Sequence, residues 1–404
     1  MFNATKFVVA GVLVALFGGF LLAGVLTTQQ DDEPVPAVAA SAEAEPTDEA
    51  TTAPESAVTS NILPGVDLVT EEVEPGVFRI DSDGIRDLDV WDGDHEDTYV
   101  GIATGRDGSV WVFWLDSFFR IGGDATHAWL GGPFSLLNRP DIEIGLDGTV
   151  WWVGSHGEPG FRSFAGLRSF DGETWSQRME TPMWGAIRDV EIDDAGRVWA
   201  AWQDDAAREI SVSRLEDDTW TTLRTWNQQT GEFRGPLMGV GSAGDAWMMI
   251  EHPEGGELWR LPGVSDGEWE SVDAPSFDFW RPHVAPDGTA WVRRFPEGLA
   301  RYDGAAWTLH PPDASRLVLA PRTNDDAGRV VMEVGTDGSA WFGSQTNCVG
   351  VTNFDGTTAT TFLPGLCVAD MDVAPDGSLW LHSGRPGDSG RFYVITPEAL
   401  MATR

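Results

Sequence analysis

Lysine occurs once in this chain of 404 residues, at Lys6, and cysteine only twice. Basic side chains number 26 against 64 acidic ones, for a net charge of −38. Nucleic acid is excluded as a partner, because phosphate recognition needs clustered Lys and Arg. A polybasic membrane-binding patch is excluded for the same reason. Two cysteines rule out a disulfide-stapled mini-domain. Helical periodicity is missing beyond the first 26 residues. What is present is 42% apolar and 11% aromatic content with 20 Trp. That is ample for a core and excludes disorder throughout. The length allows two ordinary domains or one large repeat-built domain.

The run Phe7 to Leu26 reads FVVAGVLVALFGGFLLAGVL and carries no charge. As a helix it spans roughly 30 Å, the hydrocarbon thickness of a bilayer. Lys6 precedes it and Asp31, Asp32 and Glu33 follow. The positive-inside rule then predicts a short cytoplasmic tail over 1–6, a single-pass signal anchor over 7–26 in a bacterial cell membrane, and everything beyond it extracytoplasmic. The alternative is a cleaved signal peptide and a secreted product. Residues 27–61 are rich in Ala, Pro, Thr and Glu and hold no aromatic residue, which predicts a disordered linker.

One motif recurs seven times downstream: a short alternating strand, a tight Asp/Gly turn, then a Trp. The copies read GIATGRDGSVW, IEIGLDGTVW, VEIDDAGRVW, VGSAGDAW, HVAPDGTAW, MEVGTDGSAW and DVAPDGSLW. Their tryptophans are Trp111, Trp151, Trp199, Trp247, Trp291, Trp341 and Trp380. A second hairpin follows in most copies and ends in Trp175, Trp220, Trp269 or Trp307. Two hairpins make four strands, one propeller blade. The fold predicted for 62–404 is an all-β, seven-bladed propeller of four-stranded antiparallel blades. Blade seven is one strand short, and GVFRIDSDGIRDL upstream of blade one offers the strand that would close the ring. The Asp/Gly pairs lack the alternating carboxylates of a calcium loop and read as turn residues.

The string DGTAWVRRFPEGLARYDGAAWTLH resembles the two-component-regulator propeller repeat. The seven D-G-x-x-W-like copies are also similar to the streptogramin (virginiamycin B) lyase repeat and its gluconolactonase-like relatives. The resemblance covers about residues 75–396. It implies the fold, and it admits a metal-dependent lyase or lactonase with a His base beside a divalent cation held by carboxylates. Under that reading the candidates are His156 with Glu158, and His283 or His382 with Asp278 or Asp388. The regulator repeat admits a third reading, a sensory input propeller.

In a four-stranded blade the 2–3 and 4–1 loops emerge on one face. Cys348 falls in the 2–3 loop of blade six and Cys367 in the 4–1 loop before blade seven, so a Cys348–Cys367 disulfide is predicted. The surplus tryptophans Trp91, Trp184, Trp226 and Trp280 are placed in 4–1 loops. Trp114 and Trp202 are placed where strand 2 runs into the 2–3 loop of the same face. Arg139, Arg188 and Arg281 stand just before strand 1 of their blades. Tryptophan stacks on apolar or sugar faces and arginine holds carboxylate or sulfate, so this mouth is the predicted ligand site. The alternatives are a lid of packed rings and arginines that merely tie blades together. The function expected is non-catalytic recognition of a cell-envelope glycan, peptide or protein, with no cofactor; a divalent cation enters only under the lyase reading.

Overall fold

In the computed structural model of the chain, all seven repeats close their first hairpin with the same local hydrogen bonds. In blade one the Gly105 amide donates to Ser109 O at 2.6 Å, and the Gly108 amide donates to Gly105 O at 2.8 Å. The Asp107 carboxylate accepts from the Ser109 amide and hydroxyl at 2.9 and 2.6 Å, and Trp111 Nε1 donates to that hydroxyl at 3.0 Å. Gly108 sits at a φ of 80°, in the left-handed region that glycine adopts without a Cβ penalty. The turn, the serine and the tryptophan therefore form one unit readable within a few residues.

The chain divides into two units, Met1–Pro54 and Glu55–Arg404. The structure describes residues 70–403, apart from 81–99, 122–126, 130–140, 157–163, 180–184, 228–235, 274–280, 311–329, 385–390 and gaps of one to three residues. The expected tail 1–6, the anchor Phe7–Leu26 and the linker 27–61 lie outside the described residues. Among the described residues no helix is long and apolar enough to cross a membrane.

The strands form seven blades in sequence order, each antiparallel. Blade one, for example, takes Val100–Thr104, Val110–Trp114, Ser117–Ile121 and His127–Trp129 from inside to outside. Blades two and three join into one sheet through a single parallel bridge, Ala186 to Ala165. Blade seven takes Val368–Val373, Leu379–Ser383 and Arg391–Ile395 from the C-terminal end and Val77–Ile80 as its fourth strand. Val77 pairs with Ile395 and Ile80 with Phe392, so the strand anticipated in GVFRI closes the ring. A fifth strand, Thr70–Glu74, lies outside it and was not anticipated. Neither was the helix Pro397–Thr403, whose Ala399 and Leu400 are buried against blade seven.

The repeat tryptophans are the glue. All seven are buried, and Trp199, Trp247, Trp291, Trp341 and Trp380 are essentially sealed. Each packs on the next blade: Trp199 meets Met238, Val240 and Met248 of blade four, and Trp341 meets Met371, Leu379 and Ile395 of blade seven. Arginines cover four of these rings, with Arg178 over Trp151, Arg214 over Trp199, Arg260 over Trp247 and Arg301 over Trp291 at 5.2–5.6 Å. Close approach of neighbouring blades also dictates Gly239, where a Cβ would lie 2.0 Å from Pro282 O. The Cys348–Cys367 disulfide ties blade six to the first strand of blade seven, as the topology predicts.

Candidate functional site

The innermost strands of all seven blades enclose a central cavity of about 770 Å³. An innermost strand has one edge with no neighbouring strand, so alternate amides need other acceptors. Carboxylates of the preceding blade supply some of them. Asp370 Oδ2 accepts from the Ile102 amide at 2.9 Å. Asp372 Oδ2 accepts from the Thr104 amide at 2.6 Å and its hydroxyl at 3.0 Å, while Oδ1 takes the Val373 amide at 2.8 Å. Asp189 accepts from the Met238 amide in the same way.

One layer of the cavity consists of the residues paired with the repeat tryptophans. Blades one and four supply Ala103 and Gly239 there. The other five supply Glu143, Glu191, His283, Glu333 and Asp372. Sequence reasoning missed this ring, although each member stands eight residues before its tryptophan in the quoted repeats. The usable signal was the period-2 alternation of strand 1, which carries one side chain in two toward the next blade and the axis.

Two arginines cross the cavity to blade three, each skipping a blade. Arg281, from blade five, pairs with Asp189, meets Glu191 at 2.8 Å and donates through Nε to Met238 O at 3.0 Å. Arg106, in the 1–2 turn of blade one, pairs with Asp194 and donates to Ile192 O at 3.3 Å. Burial lowers the Arg106 pKa, and Glu143, Asp193 and Glu191 work against that. On the opposite side His283 Nδ1 lies 3.6 Å from Glu333 Oε2. Burial, followed by the charge of Glu333, pushes the Asp372 carboxyl up to about 7.

The predicted mouth residues divide. Trp91, Trp184, Trp280 and Arg139 lie outside the described residues, and Trp114 ends the strand Val110–Trp114. Trp202 lies within the strand Val198–Asp204, half-buried, with its indole N–H 3.4 Å from Ser213 Oγ. Trp226 is in the outer strand Thr219–Asn227 rather than a 4–1 loop, and is buried against Trp259 and Trp269. Arg224 stacks over Trp259 at 4.3 Å in that cluster. Arg188 is expelled by a bulge, because Ile187 pairs with Trp202 and Asp189 with Ala201, leaving Arg188 unpaired in the ladder. It is exposed and lines the cavity. Arg281 is held by the bonds given above.

The histidine candidates do not gather in mouth loops. His156 ends the strand Val150–His156, and Glu158, Asp278 and Asp388 fall outside the described residues. His283 sits in the cavity layer. His382 lies in the strand Leu379–Ser383, buried and stacked 5.0 Å from Phe392, with neither ring nitrogen hydrogen-bonded. Burial lowers its pKa to about 4, so it is neutral at physiological pH. Among the described residues no three His, Cys, Asp or Glu side chains converge to hold a metal ion. The described donors therefore do not fit the lyase-type metal set.

No family model and no curated protein matches the sequence. Solved structures do match in shape. The virginiamycin B lyase of Staphylococcus aureus superposes with a TM-score of 0.52 at 13% identity, over 75% of this chain and 96% of that one. A streptogramin B lyase structure gives 0.50 at 14%, over 74% and 93%. At such identities the likeness is one of fold, and the protein is a seven-bladed β-propeller with four-stranded blades around a charged central cavity.

Proposed function

We propose that the protein is a membrane-anchored, extracytoplasmic recognition module that binds an anionic ligand, a cell-envelope glycan or peptide, at the mouth of its central cavity. Arg188 carries this reading. A bulge costs a ladder pairing, and here it turns a guanidinium into the cavity while Arg281 beside it is already committed to carboxylates. A guanidinium suits carboxylate or sulfate because its donors match their geometry. Trp184 and Trp280 supply stacking at the same mouth, and Phe7–Leu26 holds the propeller at the membrane. The test is calorimetric titration with uronate oligosaccharides and their neutral, reduced counterparts. Arg188→Ala should abolish binding of the acidic form with the melting midpoint unchanged, and Trp184→Ala with Trp280→Ala should weaken it. Equal binding of both sugars, or wild-type binding by Arg188→Ala, refutes the reading.

The His283–Glu333 contact favours a second reading, a lyase or lactonase using a divalent cation. It requires a melting midpoint that rises reversibly with calcium or magnesium and falls with EDTA.

A further inference from the structure

After the internal bonds of the cavity are counted, chemistry is left over on one side. The carboxylates Asp189, Glu191 and Asp194 of blade three face Arg281 and Arg106. Glu333 and Asp372, on blades six and seven, face each other, and His283 is the one basic group that reaches Glu333 among the described residues. Two carboxylates in mutual repulsion raise the energy of the ionised state, and an intervening cation relieves it.

One layer nearer the mouth on this side is Arg293. It follows the tryptophan of blade five by two residues, and the same position elsewhere holds Phe113, Val153, Ala201, Met249, Gly343 and His382. Apolar residues or glycine thus serve in five blades, whereas blade five places a guanidinium there, 4% exposed and lining the cavity. Burying a cation in an otherwise apolar layer is unfavourable, and nothing in the blade repeat asks for it. Burial lowers its pKa to about 10, so it stays charged. Along a strand two residues advance about 7 Å. That is close to the reach of an amino-acid zwitterion plus a charge-assisted hydrogen bond of about 2.8 Å at each end.

We propose that the wall formed by blades five to seven is a subsite for an amino-acid-like zwitterion, its carboxylate on Arg293 and its ammonium between Glu333 and Asp372, with His283 orienting Glu333. The proposal rests on the recognition reading for the cavity as a ligand site, and not on Arg188.

The test uses the full chain in detergent micelles with EDTA present, following tryptophan fluorescence on heating with each of the twenty free amino acids at millimolar concentration. At least one should raise the midpoint saturably. Its N-acetyl and methyl-ester forms should each bind at least about tenfold more weakly, a loss of about 1.4 kcal/mol. Glu333→Gln and Arg293→Leu should each lose a similar factor, with Arg293→Lys serving if Arg293→Leu does not fold. The proposal is overturned if no amino acid shifts the wild-type midpoint, if the blocked forms bind equally, or if Glu333→Gln binds as wild type. A shift that appears only with a divalent metal also overturns it. Arg188→Ala separates the two readings. It should leave amino-acid binding intact while removing uronate binding; loss of both would deny a separate subsite, and uronate binding without amino-acid binding in the wild type would sink the subsite alone.

Discussion

The two sides of the central cavity occupy equivalent positions in the repeat and carry opposite electrostatic solutions. On blade three the carboxylates are bridged, with Asp189 buried under Arg281 and Asp194 under Arg106. On blades six and seven Glu333 and Asp372 lie at the same register without a bridging arginine, and Asp372 keeps its proton to about 7. A repeat fixes where a side chain points. It leaves the chemistry at that point to individual substitution, so symmetric scaffolds can hold a braced wall and a reactive one side by side.

The largest expected effect comes from breaking the braced wall. Asp189→Ala removes the partner of Arg281 and the acceptor of the Met238 amide, and should cost about 3–5 kcal/mol in urea denaturation. A loss below about 1 kcal/mol would show that the bridge is decorative. Next is the seam between the two sides of the comparison. Cys348→Ser with Cys367→Ser should cost about 3 kcal/mol, the loop-closure value for a separation of this size. An unchanged midpoint under reducing conditions would contradict this.

A smaller effect separates the walls by pH. The folded-state pKa of Asp372 is raised above its unfolded value, so its contribution favours the fold below the ordinary carboxylate range and is lost as pH rises toward 7. Asp372→Asn should flatten that fall between about pH 4 and 7 and raise the midpoint at pH 8. Glu333→Gln should lessen the fall by removing the repelling charge. A pH profile identical to wild type in both variants would remove the distinction between the walls. The smallest effect is the control on the outer surface. Asp218, exposed and 3.3 Å from Arg178, should change stability by less than about 0.5 kcal/mol when replaced by Ala.

Much of this was legible before any coordinates. The turn glycine, its Asp and the tryptophan interact within six residues, so Gly108, Asp107, Ser109 and Trp111 announce their hairpin wherever it lands. The closing strand Val77–Ile80 was legible because blade seven lacked one. Trp226 was misplaced because a loop assignment was drawn from spacing alone, whereas a nine-residue outer strand carries it into a cluster with Trp259 and Trp269. His382 was misplaced likewise: strand 2 of its blade runs through it.

The sequence by itself determined the number of blades, their order, the strand that closes them and the cysteine pairing. Those features depend on local hydrogen bonds and on a repeat period, and neither needs distant residues to be located. Only the tertiary structure decided which charges meet in the cavity. Arg281 lies 92 positions from Asp189, and Thr104 lies 268 from Asp372. Such neighbours are set by closing a ring of seven sheets, and the energies that shift Asp372 arise only once burial has removed the water between them.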